Sequence, residues 1–277
     1  MDRHGLLRLR LLQDPVVAHP SASMAPMVPS TPLLPLRVCL LSGGESRRMG
    51  RDKALLPHPE GGTWLERTLQ LLSSLEVPIT LFSRHPRHRV LARRLAEPWV
   101  AWAAQGKPGP TLAAIAEPPP WEGPLLALHR LMQQHPQQRL LLCPVDMPAL
   151  TAPVLHQLLR AATAEPAAIH LAHDGQRLQP LLGLYPSDAT HRTSLAAAVA
   201  AGERRLQGWL AGQCCRAVVL EAAAVWNVNR PEALQRLWGP AGRNPSAAGG
   251  GSAPLESSDA IPDLFSAGKD HPASTRA

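Results

Sequence analysis

Leu40-Leu41-Ser42-Gly43-Gly44-Glu45-Ser46-Arg47-Arg48-Met49-Gly50-Arg51-Asp52-Lys53 is the stretch that decides how the rest of the chain is read. The apolar run Val38 to Leu41 reads as a short buried strand that empties into a Gly-Gly turn, with a lysine close behind. Glycines carry no Cβ, so the backbone can approach a ligand closely. Successive N–H groups in such a turn form an anion nest. Arg47, Arg48 and Lys53 add formal positive charge. Together these features suit a triphosphate, whose departing pyrophosphate needs neutralising. The stretch is neither a P-loop, since no Gly-Lys-Ser/Thr follows the glycines, nor the dinucleotide G-x-G-x-x-G.

Outward from that loop, strand-like and helix-like segments alternate. Strands are expected near 38–41, 77–82, 112–116, 140–145, 167–172, 179–185 and 217–220. Thr63 should cap a helix carrying Leu65, Leu69, Leu72 and Leu75, with Glu66 at the capping-box position. A basic helix should run from Arg84 to Leu95, and further helices should open at Pro124 and at Thr151. Two more, near 193–201 and 204–210, are split by Gly202. Ala54-Leu55-Leu56 reads as a short extended piece, and Asp174-Gly175 as a hairpin turn. A last helix is expected to end near Trp238. The alternation predicts an α/β fold, a Rossmann-like three-layer sandwich with a mostly parallel central sheet. In such sheets ligands bind beyond the C-terminal ends of the strands. Both the glycine loop and Asp146 fall at such ends.

The chain has 277 residues, 45% apolar and only 4% aromatic, so its core is built mainly of Leu, Ala and Val. Residues 1–36 and 239–277 are expected to be disordered extensions, on their prolines and on a Gly/Ser/Pro/Ala-rich composition respectively, leaving 37–238 as one domain. The net charge of +7 favours anionic partners without choosing among nucleotide, nucleic acid and membrane. The basic helix reads as a solvated face, with His85 and His88 on the surface, because no aromatics interleave with it. Nucleic acid is not an expected partner. No run is long enough to span a bilayer, and the N-terminal segment lacks a continuous apolar core for a signal peptide. Four cysteines without a C-x-x-C pair suggest buried reduced thiols in a cytoplasmic protein. Trp99, Trp102 and Trp121 are expected to pack in the core. No nucleophile elbow marks a Ser-His-Asp arrangement.

Asp146, in Cys143-Pro144-Val145-Asp146-Met147-Pro148, stands at the end of the most hydrophobic strand. A carboxylate there can hold Mg²⁺, which takes one or two carboxylates together with phosphate oxygens. Glu117, also just past a strand, is a second candidate.

These residues carry a resemblance. Leu-Ser-Gly-Gly-x-Ser-x-Arg-Met-Gly-x-Asp-Lys at 41–53 is similar to the signature of the MobA-like nucleotidyltransferases. Gly123-Pro124-Leu125, the 143–148 segment, His173-Asp174-Gly175 with Gln179-Pro180, Ala201-Gly202-Glu203-Arg204-Arg205 and Asn227-Val228-Asn229-Arg230-Pro231-Glu232 follow in the family's order. The last two resemble its molybdenum cofactor guanylyltransferase branch. The resemblance implies GMP transfer from GTP to molybdopterin with Mg²⁺ as cofactor. It implies that Leu41, Ser42, Gly43, Gly44 and Lys53 bind GTP and that Asp146 binds both GTP and the metal. Lys53, Asp146 and Arg48 are the expected catalytic residues. Ser83 and Glu117 fall where the family has Asn and Asp, Ser42 where it often has Ala, and Ala127 where it has Gly. Asn227 and Asn229 would shape the pterin side. The same apparatus would serve a cytidylyltransferase using CTP, and the departures would suit a non-catalytic cofactor-binding or delivery protein. The implied partners are GTP, molybdopterin, and molybdoenzyme apoproteins or other cofactor-biosynthesis proteins. The protein itself is expected to be a monomer or weak homo-oligomer.

Overall fold

The computed structural model describes residues 33–46, 49–107, 109–230 and 233. Residues 1–32 and 239–277 of the two expected tails and the last helix, apart from Ala233, lie outside the described residues, as do Arg47 and Arg48. The end of the expected N-terminal extension is described: Leu36 opens the first strand, and the Pro35 carbonyl accepts from Arg139 N–H at 2.8 Å. Among the described residues seven strands form one sheet: β1 (Leu36–Leu41), β2 (Ile79–Ser83), β3 (Leu112–Ala116), β4 (Arg139–Pro144), β5 (Ile169–His173), β6 (Leu178–Pro186) and β7 (Cys215–Val219). Their order is β3-β2-β1-β4-β6-β5-β7. β1 lies parallel to β2 and β4, β2 to β3, and β5 to β7. Only β6 runs against its neighbours, β4 and β5. The sheet is thus mostly parallel, as the alternation of elements predicts.

Among the described residues six helices cover it: α1 (Trp64–Ser73), α2 (Pro86–Ala103), α3 (Pro124–Gln134), α4 (Ala152–Ala161), α5 (Ala189–Ala200) and α6 (Leu206–Leu210). The period-2 alternation of the strands builds two cores. Val38 and Leu40 of β1, with Leu141 and Cys143 of β4, pack on Leu65, Leu69 and Leu72 of α1 and Leu155 and Leu158 of α4. On the other face Cys39, Leu140 and Leu142 meet Leu125, Leu128 and Leu131 of α3. Every residue of β4 is buried, which is why this strand reads as a continuous apolar run rather than an alternating one. Burying each of these leucines stabilises the fold by roughly 1.5–3 kcal/mol relative to leaving it exposed.

Thr63 caps α1 as expected. Its hydroxyl accepts from Glu66 N–H and the Glu66 carboxylate accepts from Thr63 N–H, a complete capping box. At α4 Thr151 is the cap residue, but its side chain makes no capping hydrogen bond. Three expectations are corrected. Residues Lys53–Leu55 form a 3-10 turn rather than an extended piece, because the Asp52 carboxylate accepts from Ala54 N–H and caps it. α2 continues through Pro98 to Ala103. Pro98 is exposed, so the carbonyl that loses its helical partner can turn to water. Trp102 and Trp121 are half-exposed rather than core, while Trp99 does pack against the core. All four cysteines are free thiols; burial pushes Cys39 and Cys143 up to about 12, which keeps them protonated.

Candidate active site

Because β1, β2, β3 and β4 are parallel, the residues that follow them emerge on one edge of the sheet. There they surround a cleft of about 440 Å³. The loop after β1 forms its floor through Ser42, Gly43 and Gly44, and the turn beyond contributes Asp52 and Lys53. Arg84 follows β2, Glu117 follows β3, and Asp146 follows β4. Gly123 and Ala127, at the start of α3, close one wall. Ala127, where the resemblance has glycine, is buried there within the helix. The volume falls in the range of small-molecule sites, roughly 300–1,000 Å³.

Lys53 is the centre of the charged part. Its Nζ lies 2.8 Å from Asp146 Oδ2 and 2.8 Å from Asn229 Oδ1. Three segments far apart in the chain thus meet at one ammonium. Val228 explains why they do. It is fully buried with Met49, Leu56 and Trp64, and its N–H donates to the Asp146 carbonyl at 2.9 Å. With Val228 turned inward, Asn229 reaches Lys53 while Asn227 Nδ2 donates to Gln179 Oε1 at 2.7 Å. Gln179 in turn donates to Asp174 Oδ2 at 2.7 Å. A hydrogen-bonded chain therefore runs from the 227–229 turn to the β5–β6 hairpin.

The donor set fits a magnesium ion. Asp146 Oδ1 is buried and has no hydrogen-bond partner, so one carboxylate oxygen remains for a cation while Lys53 holds the other. Among the described residues no three His, Cys, Asp or Glu side chains gather to hold a metal. An ion at Asp146 would then draw its other ligands from phosphate oxygens and water, as Mg²⁺ commonly does.

Glu117 lies against Gly43 so closely that a Cβ on Gly43 would overlap its carboxylate. Burial pushes the Glu117 carboxyl above its usual range, against the pull of Arg130 and Arg84. The Trp121 indole N–H donates to the Glu117 carbonyl at 3.0 Å, and the Arg84 guanidinium stands 5.1 Å from the Trp121 ring centroid. An exposed tryptophan and a cation therefore flank this end of the cleft, which composition did not foretell.

Of the expected contacts among the described residues, Ser83, Asn227 and Asn229 do not line the cleft, although Asn229 reaches Lys53 at its edge. Ser83 is withdrawn into the protein. It is fully buried, donates to the Ser42 carbonyl at 2.7 Å, and accepts from His85 N–H. Ser42 is likewise turned inward, its Oγ 2.8 Å from His88 Nδ1. His88, expected on the surface, is 1% exposed, and its Nε2 lies 2.7 Å from Asp52 Oδ2. A contiguous Ser42–His88–Asp52 arrangement exists after all, although no motif announces it. The spacing of His88, Ala92 and Ala96, all buried on α2, was the available signal.

Residues 38–218 match the MobA-like NTP transferase domain. The chain belongs to this family. A probable molybdenum cofactor guanylyltransferase of Rhodopirellula baltica is 33% identical over 206 residues, 72% of this chain and 90% of that protein. One of Mycobacterium tuberculosis, strain H37Rv, is 34% identical over 217 residues, 76% of this chain and 96% of that protein. The crystal structure of molybdopterin-guanine dinucleotide biosynthesis protein A from Archaeoglobus fulgidus superposes with a TM-score of 0.52 at 17% identity, covering 72% of this chain and 95% of that one. That likeness bears on the fold, and it agrees with the three-layer sandwich. The MobA-like family is one of NTP transferases, and in open α/β sheets ligands bind beyond the C-terminal ends of the strands, where this cleft lies.

Proposed function

We propose that this MobA-like protein transfers GMP from GTP to molybdopterin, giving molybdopterin guanine dinucleotide and pyrophosphate, in the biosynthesis of the molybdenum cofactor. The observation that carries the proposal is the meeting of Lys53, Asp146 and Asn229 at 2.8 Å, since each belongs to a different motif of the resemblance. The names of the relatives from R. baltica and M. tuberculosis support the choice of reaction.

In this reading Gly43 and Gly44 let the backbone approach the triphosphate, and Lys53 offsets its charge. A terminal phosphate oxygen of the pterin attacks the α-phosphorus in line. The new P–O bond forms as the bond to the β-phosphate oxygen breaks, and the electron pair leaves with pyrophosphate. A phosphate monoester is already largely ionised at neutral pH, its second pKa being about 6, so the protein needs no general base. Asp146 and Lys53 hold each other in register at the strand end. Asp146 would hold Mg²⁺, which when bound would supply positive charge against the charge developing on the phosphates. Asn227 and Asn229 lie toward the acceptor.

The test is Asp146→Ala. Pyrophosphate release from GTP in the presence of molybdopterin and Mg²⁺ should fall by at least about 100-fold, the cost of removing a group that stabilises transition-state charge. A near-normal rate would overturn the assignment.

A further inference from the structure

We infer that His88 is a positioning residue that sets the shape of the nucleotide loop, and that Ser42 is matched to it. The inference rests on the reading of the cleft as a nucleotide site. His88 sits in the first turn of α2, on the face where Ala92 and Ala96 let the helix lie close to the sheet. Its ring reaches both ends of the loop. Nε2 faces the Asp52 carboxylate at 2.7 Å, and a carboxylate only accepts, so Nε2 carries the proton. Nδ1 then needs a donor. Three oxygens lie near it, Ser42 Oγ at 2.8 Å, the Ser42 carbonyl oxygen at 2.9 Å and Ser83 Oγ at 3.1 Å, and of these only the two hydroxyls can donate. The Ser83 proton goes to the Ser42 carbonyl at 2.7 Å, which leaves Ser42 Oγ–H as the donor to the ring. An alanine at position 42 would leave the buried ring nitrogen and the Ser42 carbonyl competing for the single Ser83 proton. This accounts for a serine at the position where the resemblance often has alanine.

The consequence reaches the charged centre. The second Asp52 oxygen accepts from Ala54 N–H at 3.1 Å and caps the turn that carries Lys53. Lys53 N–H donates to Ser46 Oγ at 3.2 Å, within the same loop. His88 therefore braces Ser42, at the loop's entry, against Asp52, at its exit, and Lys53 projects from the braced end to Asp146. The group is not a hydrolytic triad: Ser42 is only 2% exposed, and its carbonyl and hydroxyl are both engaged inside the protein.

The experiment compares the full chain with His88→Ala, His88→Gln and Ser42→Ala. It measures thermal midpoint, GTP and CTP affinity by equilibrium titration, and kcat and KM for pyrophosphate release. His88→Ala should weaken nucleotide binding and raise KM about tenfold, the scale of one lost charge-assisted hydrogen bond. In His88→Gln the amide N–H can donate to Asp52, so most of the affinity should return. Ser42→Ala should raise KM several-fold, roughly the cost of one neutral hydrogen bond. The double variant Ser42→Ala/His88→Ala should be no worse than His88→Ala alone, because both act through one unit. Variants that lose only thermal stability, with affinity and KM within about twofold of wild type, overturn the inference. So does a glutamine that restores nothing, or two effects that add in full. If His88→Ala does not fold, Ser42→Ala decides by the same criterion. Wild-type protein that binds GTP without releasing pyrophosphate would sink the proposed reaction, while the affinities would still judge His88. Wild-type binding to CTP alone would move the comparison to CTP.

Discussion

At the scale of single residues, Gly43 shows how a ligand loop depends on its neighbours. The absence of a side chain there was legible as a need for close backbone approach, but the sequence could not say what lies opposite. The structure puts the Glu117 carboxylate there, at the end of β3. Gly43→Ala would push this flexible carboxylate aside rather than move backbone. The thermal midpoint should change little, while GTP affinity should drop about tenfold, equivalent to about 1.4 kcal/mol. A titration giving unchanged affinity would show that the Gly43–Glu117 contact does not shape the site. His88 was not legible in the same way. Its burial is set by the rotation of α2 against the sheet, which depends on packing along the whole helix. Ser83 shares that fate: the sequence placed it at the right strand end, but its single proton is spent on the Ser42 carbonyl.

At the scale of elements, the strongest signals were those that fix their own geometry. The Thr63 capping box, the all-apolar β4 and the Asp174-Gly175 turn could be read directly, because each is decided within a few residues. Asp174 in fact accepts from the N–H groups of Gln176 and Arg177 and from Gln179. Burial raises its pKa, but these donors together outweigh that and bring it from 3.8 to about 2. A depressed folded-state pKa gives stability that is present above 3.8 and lost as pH falls toward about 2. Asp174→Asn should therefore melt below wild type at pH 7, and the gap should close at pH near 2; a gap that persists unchanged would contradict this source of stability. Gly183, in the middle of β6, pairs with Leu142 of β4 and Leu171 of β5, next to the register shift at Leu171/Ala172. A Cβ there would meet the His170 carbonyl oxygen at 2.9 Å and Leu171 Cδ2 at 2.8 Å. Because the obstacle includes backbone, Gly183→Ala should cost about 1–3 kcal/mol in urea unfolding, as overpacked cores do. An unchanged midpoint would mean that the sheet yields at this point. Where the elements defied the sequence, one capping side chain or the exposure of one helix face decided. The 3-10 turn at Lys53 is set by the Asp52 cap, and α2 passes Pro98 because that side of the helix faces water.

At the scale of the molecule, the parallel strand ends bring motifs from across the sequence to one edge. Strand alternation and the apolar runs were enough to anticipate the sheet, its mostly parallel character and the edge at which the site lies. They could not anticipate the contact of Lys53 with both Asp146 and Asn229, because that depends on Val228 packing beside Met49 and Trp64. The flanking of the cleft by Arg84 and Trp121 was equally hidden, since a tryptophan in a proline-rich segment carries no sign of whether it faces core or ligand. Among the described residues no helix is long and apolar enough to cross a membrane. The central claim is that this cleft joins a guanine nucleotide to molybdopterin. The most direct measurement is pyrophosphate released by the wild-type chain with GTP, molybdopterin and Mg²⁺, run beside CTP and beside Asp146→Ala. The account predicts release with GTP that depends on molybdopterin, exceeds that with CTP, and disappears in the variant; no release with GTP, or equal release from Asp146→Ala, would contradict it.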